Sequence, residues 1–272
     1  MWTRYWRLSV DPFLASSPPY VSTMGHDEAV ARLVETIESA RRRAVVRAAE
    51  GLGKSIVMAR ALAATRHPLR RFTLVKAPVD GQEMFAALAS GLGVPVSGDA
   101  SRSSAWRALV DAVRLCHLQG FHAVLVVEDA HFLVEDADCR DLERLSHLES
   151  SPGGRLTVVQ SFLLQETRHL PFHAFAARST GELTIRLPAL TRSETERYIA
   201  EKLSRAGRAD PAFTPRALAR LHEFSSGVPR GINRLGSLSL MAGAVRRREL
   251  VTPDIVEGVA SECLSDSSFP AA

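Results

Sequence analysis

The sequence predicts a three-layer α/β domain built on a parallel sheet, followed by a small all-helical domain. Three observations predict it. Apolar runs rich in Val and Leu at 44–47, 72–75, 123–127 and 156–159, with a more alternating one at 183–187, suit strands buried on both faces of a parallel sheet. Stretches with helical periodicity at 54–65, 81–91, 101–119 and 137–149 lie between them. After about residue 188 the strand signal stops and helix starts follow one another.

In chain order, residues 1–25 hold Trp2, Tyr5, Trp6, Phe13 and three prolines, which reads as an ordered aromatic arm attached to a first domain spanning 1–188. Ala29, Leu33, Ile37 and Ala40 recur at helical spacing and predict a helix over 27–43. In the 137–149 stretch Leu142, Leu145 and Leu148 share one face. The second domain, 189–262, is predicted from its caps. Thr191-Arg-Ser-Glu194 is a capping box. Thr214-Pro215 and Thr252-Pro253 each place a capping hydroxyl before a first-turn proline, whose missing N–H costs nothing there. Gly227 and Pro229 break the chain before a helix at about 231–246. Residues 263–272 read as a frayed tail.

Composition excludes several classes. Of 272 residues, 46% are hydrophobic and 24% charged, which excludes disorder over most of the chain. Cys116, Cys139 and Cys263 are odd in number, far apart and free of any CxxC pair, which excludes a disulfide-stapled fold and fits a reducing compartment. No apolar run approaches the ~20 residues that span a bilayer. The opening residues lack the apolar core of a signal peptide, so the expected location is the cytoplasm. The net charge of +4 and pI near 9.3 do not by themselves establish a nucleic-acid binder. Lys54, Lys76 and Lys202 are the only lysines in an arginine-rich chain, through drift in base composition or because those sites suit a compact ammonium.

One motif carries chemistry. Ala48-Ala49-Glu50-Gly51-Leu52-Gly53-Lys54-Ser55 ends a strand, opens a helix and nearly matches the phosphate-binding pattern GxxxxGK[ST]. Gly51 and Gly53 supply the backbone freedom that turns several N–H groups toward one anion, and the helix from Lys54 adds its positive end. Lys54 is assigned to the β/γ-phosphates and Ser55 to Mg²⁺. Ala48 stands where the pattern has its first Gly, and its methyl is expected to weaken binding without abolishing it. The strand 123–127 ends in Glu128-Asp129, the acid pair expected to hold the metal and to orient the attacking water. The usual order is Asp then Glu. Glu128 is one methylene longer at the metal and Asp129 one shorter at the water, which leaves ATP binding better supported than hydrolysis.

The chain resembles the AAA+ ATPases of the general secretion pathway protein A type, a group related to transposition ATPase regulators. The resemblance rests on Tyr5-Trp6 with Asp11-Pro12-Phe13, the helix led by His26, Asp129-Ala130-His131, the run Leu142–Glu149, the run Leu187–Ile199, and Gly227-Val-Pro-Arg230-Gly-Ile-Asn233. It implies a lid in the second domain, with Arg230 as the sensor-2 arginine reaching the γ-phosphate. Gln160 or Ser161 would be the polar sensor-1 group, unless that polarity simply marks a strand end. Arg178 would be an arginine finger or a solvated arginine. His26, Tyr5 and Trp6 would border the adenine or pack on the core. The cofactors implied are ATP and Mg.

Two further constellations carry less. His169 and His173 are four apart, but Pro171 lies between them and no third metal ligand is evident. Arg41-Arg42-Arg43 is a phosphate contact or, as we read it, a solvated helix end, where cations suit the dipole. Three functions follow. The first is a Mg-ATP-driven switch or motor on a secretion- or pilus-type protein assembly. It would self-associate into a ring or filament, with no integral membrane segment and a separate membrane protein as partner, placing it peripherally at an inner membrane. The second is a DNA-assembling transposition-type regulator, whose binding would be backbone-directed and salt-sensitive. The third is a pseudo-ATPase that binds nucleotide without useful turnover.

Overall fold

The computed structural model describes residues 2–14, 20–77, 80–133, 136–146, 148, 154–164 and 183–265. Arg178, His169, Pro171 and His173 lie outside them. The described chain divides into two compact units: Glu28–Glu50 with Lys54–Leu187, and Met1–Asp27 with Gly51–Gly53 and Pro188–Ala272.

The first unit is a parallel five-stranded sheet in the order β2-β3-β4-β1-β5. Its strands are β1 Arg43–Ala48, β2 Arg70–Lys76, β3 His122–Glu128, β4 Arg155–Leu163 and β5 Leu183–Arg186. All seven residues of β3, flanked by β2 and β4, are buried, as the continuous apolar run requires. β4 runs past the predicted 156–159, so Gln160 and Ser161 lie within the strand and not at its end.

The helices of this unit are α2 Met24–Glu38, which begins before the boundary at Asp27, α3 Lys54–Ala64, α4 Gly81–Gly91, α5 Arg102–Leu118 and α6 Asp136–Ser146. α2 stops at Glu38 where the sequence predicted 43, because Arg43 already pairs in the sheet. Val45, Leu125, Val127, Val158 and Phe162 pack with Met84, Phe85 and Leu88 of α4, Leu109 and Val113 of α5, and Leu142 and Leu145 of α6. α4–α6 therefore cover one face. The β1-to-β2 connection runs across the sheet in the opposite direction, so a right-handed crossover puts α3 on the other face. The result is three layers, with every strand ending at the same edge.

The second unit is helical: α7 Arg192–Arg205, α8 Pro215–Ser225, α9 Pro229–Val245 and α10 Pro253–Ser265. Thr191 and Glu194 form the capping box, and Thr214 accepts the Ala217 N–H ahead of Pro215. The helix α10 reaches Ser265, three residues into the predicted tail. Gly227 has φ +70°, and an added Cβ would sit 2.1 Å from the Leu190 carbonyl oxygen. Only glycine fits there.

The aromatic arm belongs with these helices, and not with the sheet to which the sequence reading attached it. It carries α1, Trp2–Tyr5. Trp6 is 1% exposed and donates its indole N–H to the Leu240 carbonyl at 2.7 Å. Tyr5 bonds the Arg248 carbonyl at 2.9 Å. Of the two readings offered for the arm, Trp6 follows core packing. Cys116 and Cys263 are free thiols. Among the described residues, no helix is long and apolar enough to cross a membrane.

Candidate nucleotide site

The sheet unit supplies a strand-to-helix turn. β1 ends at Ala48, and α3 begins at Lys54. Ala48 pairs with Leu163 as an ordinary strand residue and has no positive φ. Its methyl therefore adds no backbone strain where the pattern has Gly. Ala49 and Glu50 follow, and then Gly51 and Gly53 take φ of +77° and +94°. Lys54 is 8% exposed and donates from Nζ to the Ala48 carbonyl at 3.5 Å.

The same edge of the sheet brings the acids in. Ser55 Oγ donates to Glu128 Oε2 at 3.2 Å, across 73 residues of sequence. Burial pushes the Glu128 carboxyl above its ordinary range, partly offset by the Ser55 hydrogen bond and by Lys76 and Lys54. A buried carboxylate with a hydroxyl beside it is a hard-oxygen pair that gains from a cation. Asp129 behaves differently. It sits in the left-handed region at φ 53°, donates its N–H to Ser161 Oγ at 2.9 Å, and faces Lys76 Nζ at 3.7 Å. Asp is among the few residues that tolerate that backbone.

Strand register separates Gln160 from Ser161. Gln160 pairs with Val45 and Val127, both in the core under α4–α6, and accepts from Arg43 at 2.8 and 3.1 Å. Ser161 pairs with Val46 on the opposite side and reaches the Asp129 backbone. Alternation thus places Ser161, and not Gln160, beside the acid pair.

Within the helical unit, the loop tip meets two elements. The Arg230 N–H, in the first turn of α9, donates to the Gly51 carbonyl at 3.3 Å. A Cβ on Gly51 would lie 2.7 Å from that of Arg230. His26 Nε2 lies 2.7 Å from the Leu52 carbonyl. Sequence reasoning missed Lys76 as a partner of Asp129 and Arg43 as a partner of Gln160. The scarcity of lysine was a signal for the first; nothing local signalled the second.

Residues 37–168 match the AAA domain family AAA_22. The chain is 27% identical over 251 residues to the general secretion pathway protein A of Aeromonas hydrophila, covering 90% of this chain and 45% of that protein. Residues 37–168 thus carry an AAA domain, and the chain as a whole is similar to the general secretion pathway protein A type. It spans less than half the length of that relative. Its fold is shared with the Orc1 protein of Aeropyrum pernix solved in complex with DNA, with TM-score 0.71, 18% identity, and coverage of 94% of this chain and 69% of that one. Cdc6p of Pyrobaculum aerophilum gives TM-score 0.73 and 17% identity, over 94% of this chain and 72% of the other. The Holliday junction branch migration motor RuvB of Thermotoga maritima gives TM-score 0.53 and 17% identity, over 88% and 69%. At these identities the solved structures speak for the fold of this chain alone.

Proposed function

We propose that this chain binds Mg-ATP on the Ala48–Ser55 loop, hydrolyses it, and works as a nucleotide-driven switch on a protein assembly. The Ser55–Glu128 contact at 3.2 Å carries the reading, because it joins the loop to the acid strand where a phosphate-bound cation belongs. Mg²⁺ fits these residues: it is held by few protein oxygens together with substrate phosphates, so Ser55 and Glu128 suffice as its protein ligands. When bound it would neutralise charge developing on the transferred phosphoryl group. Gly51, Leu52 and Gly53 offer backbone N–H groups to the phosphates. Lys54, held against Ala48, offers its ammonium. Asp129, whose backbone N–H is held by Ser161, would orient water. Arg230 would add the sensor-2 charge. The general secretion relative favours a protein assembly of a secretion pathway as the client, and self-association, a membrane protein partner and a place at an inner membrane go with that proposal; DNA, with which the similar Orc1 protein was solved, is the alternative partner.

Steady-state Mg-ATP hydrolysis, measured beside Lys54→Ala, tests the reading. Turnover that falls at least about 100-fold in the variant supports it. ATP binding lost in the variant, with no turnover in either protein, favours the binding-only reading, to which the Lys76–Asp129 pair lends support. An unaltered protein that binds no nucleotide sinks both. Duplex DNA that changes no anisotropy at ~50 mM salt removes the DNA alternative.

A further inference from the structure

We infer that His26 is a positioning residue for the phosphate-binding loop, acting through the Leu52 carbonyl; the inference rests on the nucleotide-binding reading above. His26 and Leu52 are both buried, and a carbonyl oxygen only accepts. His26 Nε2 therefore carries the proton and donates to Leu52 at 2.7 Å. The other ring nitrogen, Nδ1, is 2.5 Å from the buried Thr23 hydroxyl. With the proton on Nε2, Nδ1 is left to the Thr23 hydroxyl, and both ring nitrogens are used.

The consequence follows from peptide planarity. The Leu52 carbonyl and the Gly53 N–H share one trans peptide plane and point in opposite directions. Holding the carbonyl toward His26 fixes the Gly53 N–H on the other side of the loop. The Arg230 N–H on the Gly51 carbonyl does the same for the Leu52 N–H. Gly51 and Gly53, at φ +77° and +94°, leave these two planes free to rotate if nothing grips their carbonyls. The loop is thereby set for an anion before one arrives, from residues 26 and 230 that flank it distantly in sequence.

The experiment compares His26→Phe, which keeps ring bulk without the donor, with His26→Gln, whose side-chain amide supplies a donor of similar reach. The probe is a fluorescent ATP analogue with Mg²⁺, and amide exchange at Leu52 and Gly53 is followed in nucleotide-free protein. The Phe variant is expected to bind about tenfold more weakly and to exchange faster at both amides, with Gln restoring affinity to within about threefold. Thr23→Val, which leaves the ring but frees its tautomer, gives a smaller shift in the same direction. Unchanged exchange and affinity in the Phe variant would overturn the inference, as would a Gln variant as impaired as Phe. If the unaltered protein binds no analogue, the functional reading fails, while amide exchange still decides the role of His26.

Discussion

The two units secure their polar groups by different means. At the helix ends of the helical unit the partners are neighbours in sequence: Thr191 with Glu194, Thr214 with Ala217, Arg205 with Glu201. At the strand ends of the sheet unit the partners are distant: Ser55 with Glu128 across 73 residues, Asp129 with Ser161 across 32, Arg43 with Gln160 across 117. A helix start is fixed by the residues that write it. A strand end is fixed only when the whole register is. The groups assigned to the chemistry lie mainly in the second kind of environment, so they depend on the sheet being complete.

Gly227 breaks the pattern, and its replacement should have the largest effect. It lies in the helical unit but is constrained by Leu190, 37 positions away, whose N–H donates to the Gly227 carbonyl at 2.9 Å. Alanine would meet both the left-handed backbone and the Leu190 oxygen. We expect Gly227→Ala to cost about 2–4 kcal/mol by urea unfolding of the full chain. A cost below about 1 kcal/mol would show that Leu190 does not constrain this position.

Legibility followed the same division. α4 falls at 81–91 as predicted, and the capping box appears where Thr191 and Glu194 announced it. β1, β3 and β4 were readable because a parallel sheet buries both faces of its inner strands, whereas the edge strands β2 and β5 alternate between buried and exposed residues, so the run at 72–75 is not buried on both faces as expected. The phosphate-loop pattern was readable because its glycines and lysine are contiguous. The choice between Gln160 and Ser161 was not readable. It turns on which way one residue of β4 faces, and that follows from pairing with Val46 and Val45, more than 110 positions away. The attachment of the aromatic arm was hidden for the same reason: Trp6 finds its acceptor on Leu240, 234 positions on. The role of His26 was half visible, since the resemblance marked the residue but only the fold shows the carbonyl it grips.

His122 sharpens the contrast from the sheet side, with an intermediate effect. It is buried at the start of β3, and its Nε2 lies 3.0 Å from the Thr157 hydroxyl, which itself donates to the Arg41 carbonyl at 2.8 Å. Burial first, then the charges of Arg70, Arg155 and His117, hold its pKa down to about 4, from an ordinary 6.5. The folded protein therefore stays neutral there while the unfolded chain takes up a proton as pH falls below 6.5. Its contribution is complete above that value and is lost progressively down to about pH 4. Between pH 7.5 and 5 we expect His122→Gln, which keeps a donor for Thr157, to lose about 1–2 kcal/mol less stability than the unaltered protein. Parallel pH profiles of the two would refute the account.

The smallest effects lie in the caps, and they test whether local chemistry is as separable as the comparison implies. Thr191 accepts the Glu194 N–H while the Glu194 carboxylate accepts the Thr191 N–H at 2.9 Å, so two donors at the start of α7 are satisfied reciprocally. Thr214 accepts the Ala217 N–H at 3.2 Å without a returning acid, and Pro215 has already removed one donor from that helix start. Both threonines cap one helix each, but losing the first also loosens the carboxylate that receives the Met24 N–H at 3.1 Å. Thr191→Ala should therefore cost about 1–1.5 kcal/mol and Thr214→Ala about 0.5–1 kcal/mol, with the double variant additive. Urea midpoints of the three proteins decide it. Equal costs would mean that the returning carboxylate adds nothing. A double variant far from the sum would mean that the two helix starts are coupled through the unit, as the strand ends are through the sheet.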